Sequence, residues 1–418
     1  MMNELNKAQS FKKDFLWNMI GSTLNGFISL FLLIIVTRIN GLEDAGIFSL
    51  AFSIACLLYI VGGYAGKIYQ ITDVNCTYTD SEYICHKIIT CSIMLILSFI
   101  YCIYMRYTQD KFIITILLCT VKAMEAFSDS FLAILQKNNK LYLAGISLTM
   151  KSLFTIILFL IFDLIFSDLL LSCIIINIVW ITIIVFFDLR KSSKYINLKV
   201  KIKKTNLLRL FKTGFYPFGV LFLTIYISNA PKYALDGIMN ESLQAVFGII
   251  IMPATLVSLC VQYILQPYLN SLSNFYKLND KIEFKKLINK LVFWTVLIGI
   301  FILIGSCVLG IPILSFIYSV QLEKYYLEFI IIMVGAIFFS ITSLLATALT
   351  TIRKVRIQFL AFLLTTLVTI LISNPLIVNY GLMGSALLYF MSTVILTVMF
   401  TLFYINIIKK IDFSKNKE

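Results

Sequence analysis

The chain has 418 residues, of which 60% are hydrophobic and 13% charged; a soluble domain carries about 25% charged residues. So few charges cannot cover a water-soluble fold of this length, which excludes an ordinary globule, a disordered chain and a disulfide scaffold. The net charge of +14 matters through where the cations sit rather than through its size.

A membrane span needs about 20 mainly apolar residues. Twelve stretches qualify: 15–37, 45–66, 88–105, 112–135, 143–166, 169–187, 213–231, 245–269, 291–318, 326–350, 357–379 and 382–408. The first follows Lys12 and Lys13. It is too long for a signal-peptide core and lacks a small-x-small cleavage site, so it reads as a span. The pieces between spans are short loops with no room for a soluble domain. The expectation is an all-α polytopic membrane protein.

With both termini on one side, 28 of the 35 lysines and arginines fall on that side and five on the other, Lys122 and Lys151 lying within spans. That asymmetry is a positive-inside signal and predicts cytoplasmic termini. The longest polar stretch, the basic linker 188–212, divides the chain into a six-helix lobe at 1–187 and another at 213–418. Even numbers of spans per half make the repeats parallel. The halves echo each other faintly: Thr37-Arg38 precedes Ala45-Gly46-Ile47, and Pro231-Lys232 precedes Phe247-Gly248-Ile249. All six prolines lie in the second half, in or beside spans, where proline removes a backbone donor and bends a helix. Gly62-x-x-x-Gly66 ends the second span, and such spacing permits close helix packing.

Ionisable groups deep in a span cost about 2.5–3.5 kcal/mol each on insertion scales, so the fourth span stands out. Lys122, Glu125 and Asp129 share one helix face at i, i+3, i+7 spacing. Lys151 of the fifth span falls at similar depth, which predicts a four-charge cluster between the two. Structural ion pairing is one reading. A polar pathway is the other, in which lysines attract an anion and a carboxylate takes up a coupling proton or sodium ion. Asn18, Ser22 and Asn25 repeat at helical spacing in span one. Arg38 and Lys232 are equivalent cations at the outer ends of spans one and seven. Asp163 and Asp236, near outer span ends, are expected to face water.

The remaining chemistry is sparse. The nine cysteines, mostly within apolar runs, read as free thiols packed like small apolar residues. Cys76, Cys85 and His86 lack the paired spacing of a zinc site. His86, the single histidine, is expected in a hydrophilic loop. No catalytic residue, metal site, cofactor or nucleic-acid partner is predicted.

At these residues the chain resembles the Wzx-type polysaccharide repeat-unit flippases of the multidrug/oligosaccharidyl-lipid/polysaccharide exporter superfamily. The likeness is spread over Trp17-Asn18, Gly21 and Asn25, Thr37-Arg38 with Gly41 and Gly46-Ile47-Phe48, and Lys122-x-x-Glu125-x-x-Ser128-Asp129. It continues through Gln136, Ala144-Gly145-Ile146-Ser147, Asn229-x-Pro231-Lys232-Tyr233 with Asp236, Gly248-Ile249, and Tyr380-Gly381-x-x-Gly384-Ser385-Ala386. The fourth-span motif is the most specific. Lys232 stands where relatives often have arginine, which keeps the charge and loses the fork.

The resemblance implies two six-helix lobes facing each other in a V around a cationic cavity. It implies an undecaprenyl-pyrophosphate-linked sugar unit as substrate, flipped outward across the bacterial inner membrane by ion-coupled alternating access, for O-antigen, lipopolysaccharide or other surface polysaccharide. A polysaccharide polymerase and a chain-length regulator are the implied partners. On this reading Lys122, Glu125, Asp129, Lys151, Asn25, Arg38 and Lys232 line the pathway. Competing classes are a drug or small-molecule antiporter, a lipid II flippase, a polymerase, and a lipid-linked glycosyltransferase. The enzymes fit poorly because outer loops are short, that of Glu43-Asp44 included. The topology is checked by a reporter inserted in the loop 188–212: it is expected to be cytoplasmic, and an external signal overturns the span count.

Overall fold

A computed structural model describes residues 2–73, 77–196 and 202–410, without the side chains of 2–12, 263 and 264. Cys76, Lys199, Lys201, Lys415 and Lys417 lie outside the described residues.

The described residues form helices in the expected order. In the N-terminal half these are α1 (Met2–Ile39), α2 (Leu42–Gly62), the short α3 (Lys67–Thr72), α4 (Asp80–Tyr104), α5 (Gln109–Lys137), α6 (Leu141–Phe166) and α7 (Leu169–Ile183). Ten helical stretches are long and apolar enough to cross a membrane. Two additions bring this to the twelve spans of the sequence. The helix Val355–Lys410 contains a non-helical residue, Gly381, at φ 56° and ψ −130°. Contacts across that glycine pair Thr369 with Ser392, Thr365 with Met399 and Phe362 with Phe400. The near-constant sum of their numbers shows two antiparallel spans. The other addition is α5, of spanning length but interrupted by Lys122, Glu125 and Asp129.

The chain divides into two compact units, Met1–Phe218 and Gly219–Glu418. In the first, α1 and α6 touch through their backbones. A Cβ at Gly145 would lie 2.4 Å from the carbonyl carbon of Trp17, and one at Gly21 2.6 Å from the carbonyl oxygen of Gly145. Helices in lipid gain their association energy from such close van der Waals approach. Helix ends are capped locally. Thr79 and Glu82 form a capping box at the start of α4, and the Asp168 carboxylate accepts the amides of Leu170 and Leu171 at the start of α7. These satisfy amides that the first helical turn leaves orphaned.

The expected second span ends early. α2 stops at Gly62, the chain turns through Gly63–Ala65, and Gly66 precedes α3. Gly66 therefore serves a turn rather than a helix–helix face.

In the second unit a core of Phe284, Leu344, Leu345, Phe362, Leu396 and Phe400 joins the helices Lys281–Gly305, Tyr326–Thr351 and both arms of Val355–Lys410. Prolines sit at its irregularities: Pro253 starts Met252–Leu265, Pro267 lies in a 3₁₀ turn, and Pro312 follows a π-helical turn at Ser306–Gly310. Each removes an amide donor where the regular ladder is already broken.

The α1–α6 contact makes a direct prediction. Gly145→Val must drive the two backbones apart, and the purified variant should melt several degrees below wild type or aggregate on size exclusion. An unchanged melt would refute the contact.

Candidate functional site

Five of the seven candidate residues gather inside the N-terminal unit, on α5 and its neighbours, but not as one cluster. α5 turns Lys122 and Glu125 toward α1 and α2. Lys122 Nζ pairs with Glu125 Oε2 at 2.7 Å, and Asn25 Nδ2 of α1 donates to Glu125 Oε1 at 3.0 Å. The ammonium also lies 5.1 Å from the centroid of Phe52 and 5.7 Å from that of Tyr59. Beside this pair is a cavity of about 20 Å³, lined by Asn25, Phe52, Lys122, Glu125, Thr155 and Trp180 among others, enough for one water molecule. The charges are thus mostly screened from solvent and lipid, and a water-sized space adjoins the pair.

Asp129, one turn on, looks elsewhere. Tyr59 donates to its Oδ2 at 2.8 Å, and Lys67 Nζ lies 3.8 Å from its Oδ1. Lys67 reaches it because the α2 break sends α3 in a new direction. At that break, buried Lys87 and Thr90 donate to the Gly62 carbonyl at 3.0 and 2.9 Å, satisfying an oxygen that the helix end leaves without a partner. A Cβ at Gly66 would fall 2.5 Å from Lys87 Nζ.

Lys151 is separated from Glu125's hydrogen bonds and faces a residue that sequence reasoning missed. Its Nζ contacts Asp188 Oδ2 and Ser128 Oγ at 2.5 Å each. Ser128 and Ser147 hydroxyls donate to Asp188 at 2.7 and 2.6 Å. Lys151 and Asp188 are fully buried, at 0% exposure. By sequence, Asp188 is the first residue of the basic linker 188–212. It lies instead in a π-helical turn, Ile184–Leu189, that carries the helix beyond α7 to Ser192. The signal available was Lys151 itself, since a lysine that deep requires a carboxylate.

Two more sequence readings are corrected. Asp163 is fully buried rather than in water, and His86 lies within α4, fully buried, rather than in a loop. His86 packs 4.5 Å from the ring of Phe211 and 6.0 Å from that of Tyr64. Burial of both follows from neighbours distant in sequence. Arg38 is exposed in the last turn of α1. Lys232 belongs to the second unit and is buried, its carbonyl accepting from Gln244 at 3.0 Å. Outside the membrane segments, burial works to raise the Asp73 carboxyl, but the amides of Tyr78 and Thr77 outweigh it and hold it below the usual range.

No protein-family model matches the chain. Solved structures do match its fold. An inward-facing multidrug resistance MATE family transporter of the MOP superfamily aligns with TM-score 0.74 at 12% identity, over 96% of this chain and 100% of its own. A mutant of the Vibrio cholerae MATE transporter VcmN aligns with TM-score 0.65 at 12% identity, over 97% and 98%. At that identity the likeness concerns the fold alone. The chain is a multi-pass helical membrane protein with the fold of these transporters, as its resemblance to the exporter superfamily implies.

Among curated proteins it is similar to the capsular polysaccharide biosynthesis protein CapF of Staphylococcus aureus. The two are 26% identical over 401 residues, 94% of this chain and 98% of that protein.

The Lys151–Asp188 pair is open to a charge-balance test. Lys151→Met leaves a carboxylate buried without its cation and should cost about 3–5 kcal/mol. Lys151→Met combined with Asp188→Leu removes both charges and should recover most of the loss in a thermal melt. Equal melts for the single and double variants would show that the two do not pair.

Proposed function

We propose that the protein is a flippase that moves an undecaprenyl-pyrophosphate-linked oligosaccharide unit from the inner to the outer leaflet of the cytoplasmic membrane, for surface polysaccharide synthesis. The observation that carries this reading is the end-to-end similarity to a capsular polysaccharide biosynthesis protein in a chain with a transporter fold. The chemistry agrees. A pyrophosphate is anionic, and the N-terminal unit places Lys122, Lys67 and Lys87 along α5, the α2 break and α4. The lipid tail remains in hydrocarbon while the sugar crosses within protein. The 28-to-5 distribution of basic residues supports cytoplasmic termini, with the substrate taken up from that side.

Glu125 is the proposed coupling group. Its carboxylate is held by one cation and one amide beside a water-sized cavity. Exchange of a proton or sodium ion there alters the hold on Lys122, and so the charge offered to an anion. A polysaccharide polymerase and a chain-length regulator are the proposed partners, which take over the flipped unit.

A second reading is favoured by a structural neighbour that is a multidrug resistance transporter: the chain exports a small molecule by antiport. Deleting the gene separates the two. Single lipid-linked sugar units trapped on the cytoplasmic face, with surface polysaccharide lost, are expected of the flippase. Unchanged lipid-linked sugars and polymer would favour the antiporter. Glu125→Ala should abolish translocation at normal membrane abundance, and wild-type polysaccharide output from that variant would remove Glu125 from the pathway.

A further inference from the structure

Asp163 takes no part in the charge network around α5. It lies on α6 twelve residues beyond Lys151, about 18 Å along the helix axis. Its side chain is fully buried. Asn40 Nδ2, just past the end of α1, donates to its Oδ1 at 3.1 Å, and so does Ser172 Oγ of α7 at 3.1 Å. Its Oδ2 is buried with no hydrogen-bond partner, and so is Oδ1 of Asn40. Two orphan acceptors thus sit on two side chains already joined by a hydrogen bond.

The surrounding charge makes an ionised carboxylate harder still to hold. Asp44 of α2 and Asp168 at the head of α7 both lie near enough to add negative potential. Arg38, in the last turn of α1, has interactions of its own. Among the described residues no cation pairs with Asp163. A buried carboxylate without a cation is costly, and the group avoids the cost by becoming neutral.

We propose that Asp163 and Asn40 form a proton-binding site. Asp163 is a carboxylic acid whose Oδ2–H donates to Asn40 Oδ1, while Asn40 Nδ2–H donates to Asp163 Oδ1. One proton satisfies both orphan oxygens, closes a cyclic acid–amide pair and removes the buried charge. A metal ion suits the place less well. No group of three Asp, Glu, His or Cys among the described residues could hold one, and hard cations take six or more oxygens. The site stands on this geometry whether or not the chain is a flippase. With cytoplasmic termini it lies at the outer end of its helices, where a proton from outside reaches the protein first.

The test compares wild type with Asp163→Asn, purified and reconstituted in lipid. Asparagine has the same shape and carries its own N–H to Asn40 Oδ1, so it needs no proton. The sign follows from linkage. Above an ordinary aspartate's range the unfolded chain releases this proton and the folded one keeps it. Wild-type stability therefore falls as pH rises, until Asp163 ionises in the fold as well. The expected result is a melting temperature that drops in wild type relative to D163N as pH rises above an ordinary aspartate's range. Infrared spectra at neutral pH should show a protonated carboxyl stretch that D163N lacks. A pH-independent gap between the two melts, or no difference in that band, overturns the proposal. Should D163N fail to fold, Asn40→Ala keeps the acid and removes its acceptor. The protonated band must then shift, and an unshifted band overturns the pairing.

Discussion

The N-terminal unit depends on a single electrostatic constraint: a lysine in hydrocarbon must meet a carboxylate. Lys151 is carried into the bundle by α6, and its counter-charge comes from beyond α7. Asp188 is held by the hydroxyls of Ser128 on α5 and Ser147 on α6. One ion pair therefore fixes the register of three helices. The π-helical turn at Ile184–Leu189 fits this arrangement. It inserts an extra residue into the helical repeat and so re-aims the side chains beyond it, Asp188 among them.

The same logic governs the α2 break. A helix that ends inside a membrane protein leaves carbonyls without donors, and lipid offers none. Lys87 and Thr90 supply the donors to Gly62, and the absence of a side chain at Gly66 makes room for the ammonium. The break in turn directs α3, which brings Lys67 to Asp129. The break is surrounded by buried polar groups, Gln70, Lys87 and Thr90 among them.

Span positions were legible in the sequence because apolar length alone sets them. Even the α5 span, which fails a simple apolarity test, was visible between two loops. The turn at Tyr380-Gly381 was legible too, since an apolar run of more than 50 residues cannot be one span. Partnerships were not. Lys122 and Glu125 meet because they are three residues apart on one helix. Lys151 and Asp188 are 37 apart, and a π turn separates the latter from any regular heptad count. Asp163 and His86 were misplaced for a related reason. Nearness to a span end says nothing about which neighbouring helix covers it, and the covering residues, Asn40 for one and Phe211 for the other, come from distant segments.

The two units solve the polar problem differently. In the second, buried polar positions are largely hydroxyls. Thr342 meets Thr397 at 2.9 Å, Thr369 meets Ser392 at 2.9 Å, and others such as Ser340 and Thr393 bond back to their own helix. Interhelical bonds of this kind average about 0.6 kcal/mol in membranes; they join helices without storing charge. Among the described residues Lys232 is the one buried charged side chain there, whereas the first unit buries Glu82, Lys87, Lys111, Lys151, Asp163 and Asp188. Hydroxyl bonds exchange at little cost as helices bend, and five of the six prolines lie in this same unit. Charge pairs resist such movement, because breaking one leaves two desolvated ions. In the proposed carrier this argues for a division of labour, in which the first unit holds the groups that attract an anion and respond to a coupling ion. The second would contribute the helices that bend.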